Sequence, residues 1–226
     1  MLGTRRKPER RDPQATRRAL LEAATRLFAQ SGFDGVPIGA VAARAGVNKA
    51  LISYHFGGKR GLYVAILESG FAAMAERLQA VGPEARDARD ELHGLLEAFR
   101  RMAHDHPGFP TLFLREVLAS GIEPRVVPHV ARIVAVTRRL AERGVRERRF
   151  RRVDPLLLHF GLVGGLAFFF ATEPARRRAA SQGRLPFAQP DAKAFVRFVE
   201  ELTLRGLRPG PPDPSPTRPR RKGARA

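Results

Sequence analysis

The residues of this 226-residue chain whose types and spacing suit contact chemistry lie between Ile38 and Phe56, IGAVAARAGVNKALISYHF. Its second half reads as a short helix. Ile52 and Phe56, four residues apart, share one face and point into a core. Ala50, Leu51 and Tyr54 point roughly the other way, with Lys49, Ser53 and His55 on the flanks. A helix this short does not hold itself up in water, so it must be braced and presented by its neighbours. Insertion into the DNA major groove is the use that fits such a unit. An ordinary helical hairpin inside an α-helical core has the same spacing, and on spacing alone both readings stand.

The elements that must position this stretch are also legible. Ile38, Val41, Ala42 and Ala45 recur at helical spacing and give a first helix with one apolar face. Gly46 permits the left-handed backbone that ends a helix. Asn48 has a side-chain oxygen to cap the next one. Upstream, Leu20, Ala24, Leu27 and Phe28 mark an amphipathic helix, with Thr16 as its expected N-cap and Gly32 as its stop. Phe33 then packs beneath the two-helix unit. A compact three-helix module over 16–56 is predicted, carrying Arg17, Arg18, Arg26 and Arg44 on its surface.

Composition narrows the class of function. A net charge of +19 and a pI near 11.7 point to a polyanionic partner, nucleic acid or an anionic membrane surface. Only five of the 41 basic residues are lysine, and with abundant Ala, Gly and Pro this arginine bias also fits GC-rich coding. The absence of cysteine removes disulfides and thiol chemistry. The histidines show no metal-site spacing. His104 and His106 stand at i, i+2, which does not share a helical face. An enzyme is therefore the least favoured class, and no metal or cofactor is expected. The start, MLGTRRKPERRDP, is charged without an apolar segment, so it is not read as a secretory signal, and a cytoplasmic protein is expected.

The run from Thr16 to Leu62 resembles the DNA-binding domain of the TetR/AcrR family of transcriptional regulators. The resemblance is carried by LLEAATRLFAQSGFDG, then VAARAGVNKALISYHF, then GGKRGLY. It implies that Lys49, Ala50 and Leu51 approach base edges, Ala50 and Leu51 as contacts to thymine methyls and Lys49 to guanine or phosphate. It also implies that Tyr54, His55 and Lys59 contact phosphates, which fix register without reading sequence. Ser53 and Thr16 complete the expected DNA-facing set. This sequence departs from the family pattern before the second helix, where Val36 and Pro37 replace the usual capping hydroxyl. Gly39 and Ser53 replace residues that are often polar and often tyrosine.

The expected architecture is all-α: a basic arm at 1–13, a helix-turn-helix domain at 14–57, a regulatory and dimerising body at 58–208, and a basic tail at 209–226. Pro8 and Pro13 argue against helix in the arm, which reads as solvated or as a DNA-contacting segment. The tail is Pro-rich and reads as disordered. In the body, helices are predicted over about 59–81, 85–103, 111–120, 124–147 and 191–205, with Gly82-Pro83 ending the first of these. HPGFPTLFLREVLASG has a weaker likeness to a CecR-like TetR subgroup. Residues 155–171, PLLLHFGLVGGLAFFFA, are the most apolar of the chain. They are slightly short for a membrane span and flanked by arginine, so they read as a helix buried on several faces. Residues 174–190 read as a surface loop whose first turn extends that helix.

The resemblance places the dimer interface on the last two helices, with Leu158, Gly161, Leu162, Gly165, Phe195, Phe198 and Leu202 as the expected contacts. Gly161 and Gly165 form a small-residue pair that admits a close helix. Phe71, Met74, Phe99, Met102, Phe109, Phe113 and His159 are candidates for an effector pocket, each also fitting ordinary core packing. The implied protein is a ligand-responsive regulator, a homodimeric repressor released from a double-stranded operator by a small-molecule effector. A constitutive or architectural DNA-binding protein without an inducer is the alternative.

Overall fold

The computed structural model describes residues 12–118 and 122–210. Most of the basic arm and of the Pro-rich tail lies outside these residues. Among the described residues the chain is all helix: α1 Pro13–Ser31, α2 Ile38–Ala45, α3 Ala50–Phe56, α4 Lys59–Glu84, α5 Ala88–Asp105, α6 Phe109–Leu118, α7 Val127–Arg146, α8 Pro155–Ser181 and α9 Ala192–Gly206.

Helix α1 begins three residues before the expected start. Asp12, not Thr16, is its N-cap: the Asp12 carboxylate accepts from the Gln14 amide at 2.9 Å. Pro13 occupies the first turn, where its missing N–H would have had no intrahelical partner. Proline therefore starts this helix and does not oppose it. Leu20, Ala24 and Phe28 of α1 are fully buried with Val41 of α2, Ile52 of α3 and Leu62 of α4, one core beneath the three-helix unit. Phe28, Phe33 and Tyr63 close it from the side, with ring centroids 5.1–5.8 Å apart.

Helix α4 runs from this unit into the body and packs on α5 and α7. It continues through Gly82 and Pro83, past the expected stop. Its last carbonyls find an outside donor: Arg143 of α7 donates to the carbonyls of Gly82 (3.2 Å) and Ala85 (2.9 Å). The same guanidinium meets the fully buried Glu91 of α5 at 2.9 Å, which also faces Arg139 at 3.4 Å. A carboxylate so buried persists only when paired, and here two arginines pair it. Pro128 falls in the first turn of α7, where it costs nothing.

Helix α8 is longer than expected, passing through Pro174 to Ser181, so the loop shrinks to the residues after it. Arg176 spans the proline step: it donates to the Phe169 carbonyl at 2.8 Å, stacks over the Phe169 ring at 4.2 Å and reaches Gln189 at 2.9 Å. Over an 18-residue window α8 has a mean hydropathy of 1.7, with 39 % of that window buried. It is buried along one side and not on several. Leu157, Phe160 and Phe168 stand exposed on the other.

Candidate nucleic-acid interface

Gly46 ends α2 at φ 64°, ψ 36°, the left-handed conformation that only glycine adopts without steric cost. Two residues later the Asn48 side chain accepts from the Ala50 amide at 2.8 Å and caps the start of α3. Between these two devices the chain reverses, and α3 is left with one face inward and one outward. Ile52 is fully buried, and Phe56 is half-buried under the Arg17 guanidinium, which sits 5.4 Å above its ring. That contact bolts α3 to the start of α1.

The outward face carries the expected reading residues. Lys49, Ala50, Ser53 and Tyr54 are exposed, and the Tyr54 ring is 81 % exposed although it is large and mostly apolar. His55 is half-buried, with its ring 5.0 Å from that of Tyr54. Leu51 departs from expectation. It is half-buried against the core and borders a recess of about 340 Å³ with Val47, Asn48, Tyr54 and His55. Pro13 and Thr16 of α1 close the far side of that recess.

Two other expected contacts are repositioned. Thr16 is only 5 % exposed within the first turns of α1, so its hydroxyl has almost no surface for a duplex. Lys59 lies over the Phe33 ring at 4.6 Å and donates to the Asp34 carbonyl at 3.4 Å, which ties the start of α4 to the turn before α2. Arg17 and Arg44 are exposed cations on the same unit. Sequence reasoning set them on the surface of the module without giving them a role. The α1–α3 pairing through Phe56 carries no local sequence signal.

The seven candidates for an effector pocket do not converge on one cavity. Phe71 packs edge-on to Phe109 at 5.5 Å and against Phe113 at 5.1 Å. Phe99 stacks on Phe170 of α8, and Met74 is buried between helices. Burial holds the His159 imidazole below its ordinary pKa, and its Nδ1 lies 3.1 Å from the Thr137 hydroxyl. Met102 and Phe109 border a cleft between α1 and the body.

The expected dimer residues divide into two groups. Leu158 and Leu162 are buried inside their own protomer, and Phe195 stacks flat on Phe169 at 3.9 Å. These three serve the internal core. Phe198 and Leu202 of α9 are exposed, as is Gly161 of α8. A Cβ at Gly161, Gly164 or Gly165 meets nothing within 4 Å, so their smallness serves no packing inside the protomer. The outward stripe of α8 is thus Leu157, Phe160, Gly161, Gly164 and Phe168.

A short, capped helix held outward over a tight turn by two supporting helices is a helix-turn-helix, a DNA-reading unit. Comparison with known proteins agrees. Residues 20–66 match the profile of bacterial regulatory proteins, tetR family. The HTH-type transcriptional repressor NicS of Pseudomonas putida is 29 % identical over 199 residues, covering 85 % of this chain and 92 % of NicS. Another HTH-type transcriptional repressor, from Streptomyces coelicolor, is 33 % identical over 140 residues, 60 % of this chain and 69 % of the relative. The transcriptional regulator FadR of Bacillus subtilis, solved with stearoyl-CoA, shares the fold. Its TM-score is 0.69 over 84 % of this chain and 98 % of that one, at 16 % identity. The chain belongs to the TetR family, bacterial DNA-binding proteins that regulate transcription.

Proposed function

We propose that this protein is a cytoplasmic, homodimeric repressor that reads an operator with α3 and leaves it when a small effector binds. The observation that carries the reading is Tyr54. A large ring left exposed on a seven-residue helix, whose opposite face is anchored by Ile52, is presented to a partner and not to the core. In a major groove the same face sets Lys49 and Ala50 against base edges, with Leu51 at their side. Ser53, Tyr54 and His55 lie toward the phosphates. Arg17 and Arg44 add backbone contacts that fix register.

The division into a reading unit at 14–57 and a body at 58–208 follows from this. The outward stripe of α8, continued by Phe198 and Leu202 of α9, is the face that a second copy covers. Two copies present two α3 helices to successive major grooves, a separation of about 34–36 Å or a multiple of it. An effector that binds better to a body with a different head spacing shifts the population away from the DNA-competent state.

Selection of duplexes from a randomised library, followed by titration of the winner with the full chain, tests this. A two-fold-symmetric site bound by a dimer is the outcome expected. Enrichment of no sequence at all contradicts it.

A further inference from the structure

We propose that the cleft between α1 and the body is an effector site for a small monocarboxylate with an apolar body. This rests on the reading of the chain as an operator-binding regulator and names where its effector acts.

The cleft has a volume of about 440 Å³, within the roughly 300–1,000 Å³ typical of small-molecule sites. Its floor is apolar: Leu21 of α1, Ile66 and Ala73 of α4, Met102 of α5 and Phe109 of α6. The rim is charged. From α1 come Arg18, Glu22 and Arg26, and from the end of α5 come Asp105 and His106. Asp105 is already held by Arg77 at 2.9 Å. Among the described residues neither Arg18 nor Arg26 has an ion-pair partner within 4.0 Å, and Glu22 stands between them on the helix. Two arginines against one free carboxylate leave the rim positive, and a guanidinium is the donor that best matches a carboxylate. An apolar floor beneath a cationic rim selects an amphipathic acid over a neutral molecule of the same shape.

The position of the cleft explains how occupancy reaches the DNA. The turn at 106–109 is wedged between α1 and α4 at closest approach. A Cβ on Gly108 would lie 3.2 Å from the Thr25 carbonyl and 3.3 Å from the Ala29 methyl of α1, and one on Gly70 would run into the Phe109 ring. With no slack on either side, a ligand entering the cleft changes the seat of α1 on the body. Through the Arg17–Phe56 contact, α3 moves with it. Packed contacts of this kind switch between discrete arrangements and do not deform smoothly.

The test uses the full chain with octanoate as probe and 1-octanol as its neutral counterpart, measured by calorimetry and by release of a selected operator duplex. Two variants report on the site. Ala73→Phe fills the cleft from α4, and Arg26→Gln removes a rim charge at an exposed position where folding is not at stake. Octanoate is expected to bind the wild type and release the operator. Its affinity should fall by roughly tenfold or more in each variant, through loss of a charged hydrogen bond in Arg26→Gln and through lost volume in Ala73→Phe. Operator affinity without octanoate should stay unchanged in Arg26→Gln, whereas Ala73→Phe, which occupies the cleft itself, is read by calorimetry alone. Octanol should bind more weakly and be insensitive to Arg26→Gln. Equal octanoate binding in the wild type and both variants overturns the site, and so does its failure to bind the wild type. Octanol binding as well as octanoate overturns the anion preference. Because calorimetry needs no DNA, a failure of operator selection would count against the DNA-binding reading separately.

Discussion

The Tyr63 hydroxyl donates to the Glu116 carboxylate at 3.1 Å, linking the start of α4 to the last turns of α6. Glu116 also accepts from the Glu123 amide at 3.1 Å, and Glu123 pairs with Arg60 at 2.8 Å. The Tyr63 ring meanwhile closes the aromatic cluster with Phe28 and Phe33. One side chain thus belongs both to the core beneath α3 and to a polar junction with α6.

Tyr63→Phe keeps the ring and removes this junction. Glu116 then keeps the Glu123 amide but loses its hydroxyl partner, and the expected loss of stability is about 1–2 kcal/mol in urea unfolding. A pH signature goes with it. Burial, reinforced by Glu116, pushes the Tyr63 phenol up to about 12, against about 10 for an unperturbed tyrosine. With the folded value raised, its contribution is fully present below about pH 10 and is lost as pH rises through about 12. Wild type should therefore lose stability across that window more steeply than Tyr63→Phe. Parallel curves would separate the phenol from the junction.

Lys49→Ala should weaken operator binding. If the ammonium neutralises a phosphate, the slope of log affinity against log salt falls by roughly 1. If it reads a guanine, discrimination at one base pair drops by about 1–3 kcal/mol. Fluorescence anisotropy at several salt concentrations, on matched and singly mutated duplexes, distinguishes these. Wild-type affinity in the variant would remove Lys49 from the interface.

Gly161→Leu should leave the protomer folded and break the dimer. The added side chain finds open space within its own chain, and leucine is a better helix former than glycine by about 0.5–1 kcal/mol. Against a second α8 the same bulk overpacks, costing about 1–3 kcal/mol or more. Sedimentation of a stable monomer is the expected result, while an intact dimer would move the interface elsewhere.

His93 of α5 and Glu200 of α9 meet at 2.9 Å, and the hydrogen bond to Glu200 raises the imidazole pKa above its ordinary value. Asp90 and Glu97 push the same way. A raised histidine contributes stability that is full below its unfolded pKa, about 6.5, and fades as pH rises through the folded value. Thermal melts from about pH 5.5 to 8 should decline for wild type and stay flatter for His93→Gln. Identical profiles would mean that solvent screening cancels the pair.

The three-helix unit was legible in the sequence because its signals are local. Apolar spacing set the inner faces of α2 and α3, Gly46 marked the turn, and Asn48 supplied the cap. The start of α1 was misplaced by the same kind of reasoning, since Thr16 and Asp12 are both capping residues and the Asp12-Pro13 pair outranked the hydroxyl. Helix α8 was harder. An unbroken apolar run has no polar face to set its phase, so Leu158 and Leu162 could not be told from Leu157 and Phe160 as outward residues. Its passage through Pro174 depends on Arg176 and on Gln189 beyond the helix end, a tertiary arrangement that no local rule contains. The cleft at Met102 and Phe109 was invisible for the same reason, because it forms only where α1 meets α4, α5 and α6 in space.

One binding measurement asks whether the outward face of α3 reads DNA as part of a dimer. The selected duplex is titrated with wild type and with Ala50→Glu, which introduces a negative charge at an exposed position of α3. Wild-type dimer is expected on an inverted-repeat site, with binding abolished in Ala50→Glu while its melting temperature and dimerisation stay as in wild type. Undiminished, sequence-selective binding by a folded Ala50→Glu dimer would contradict it.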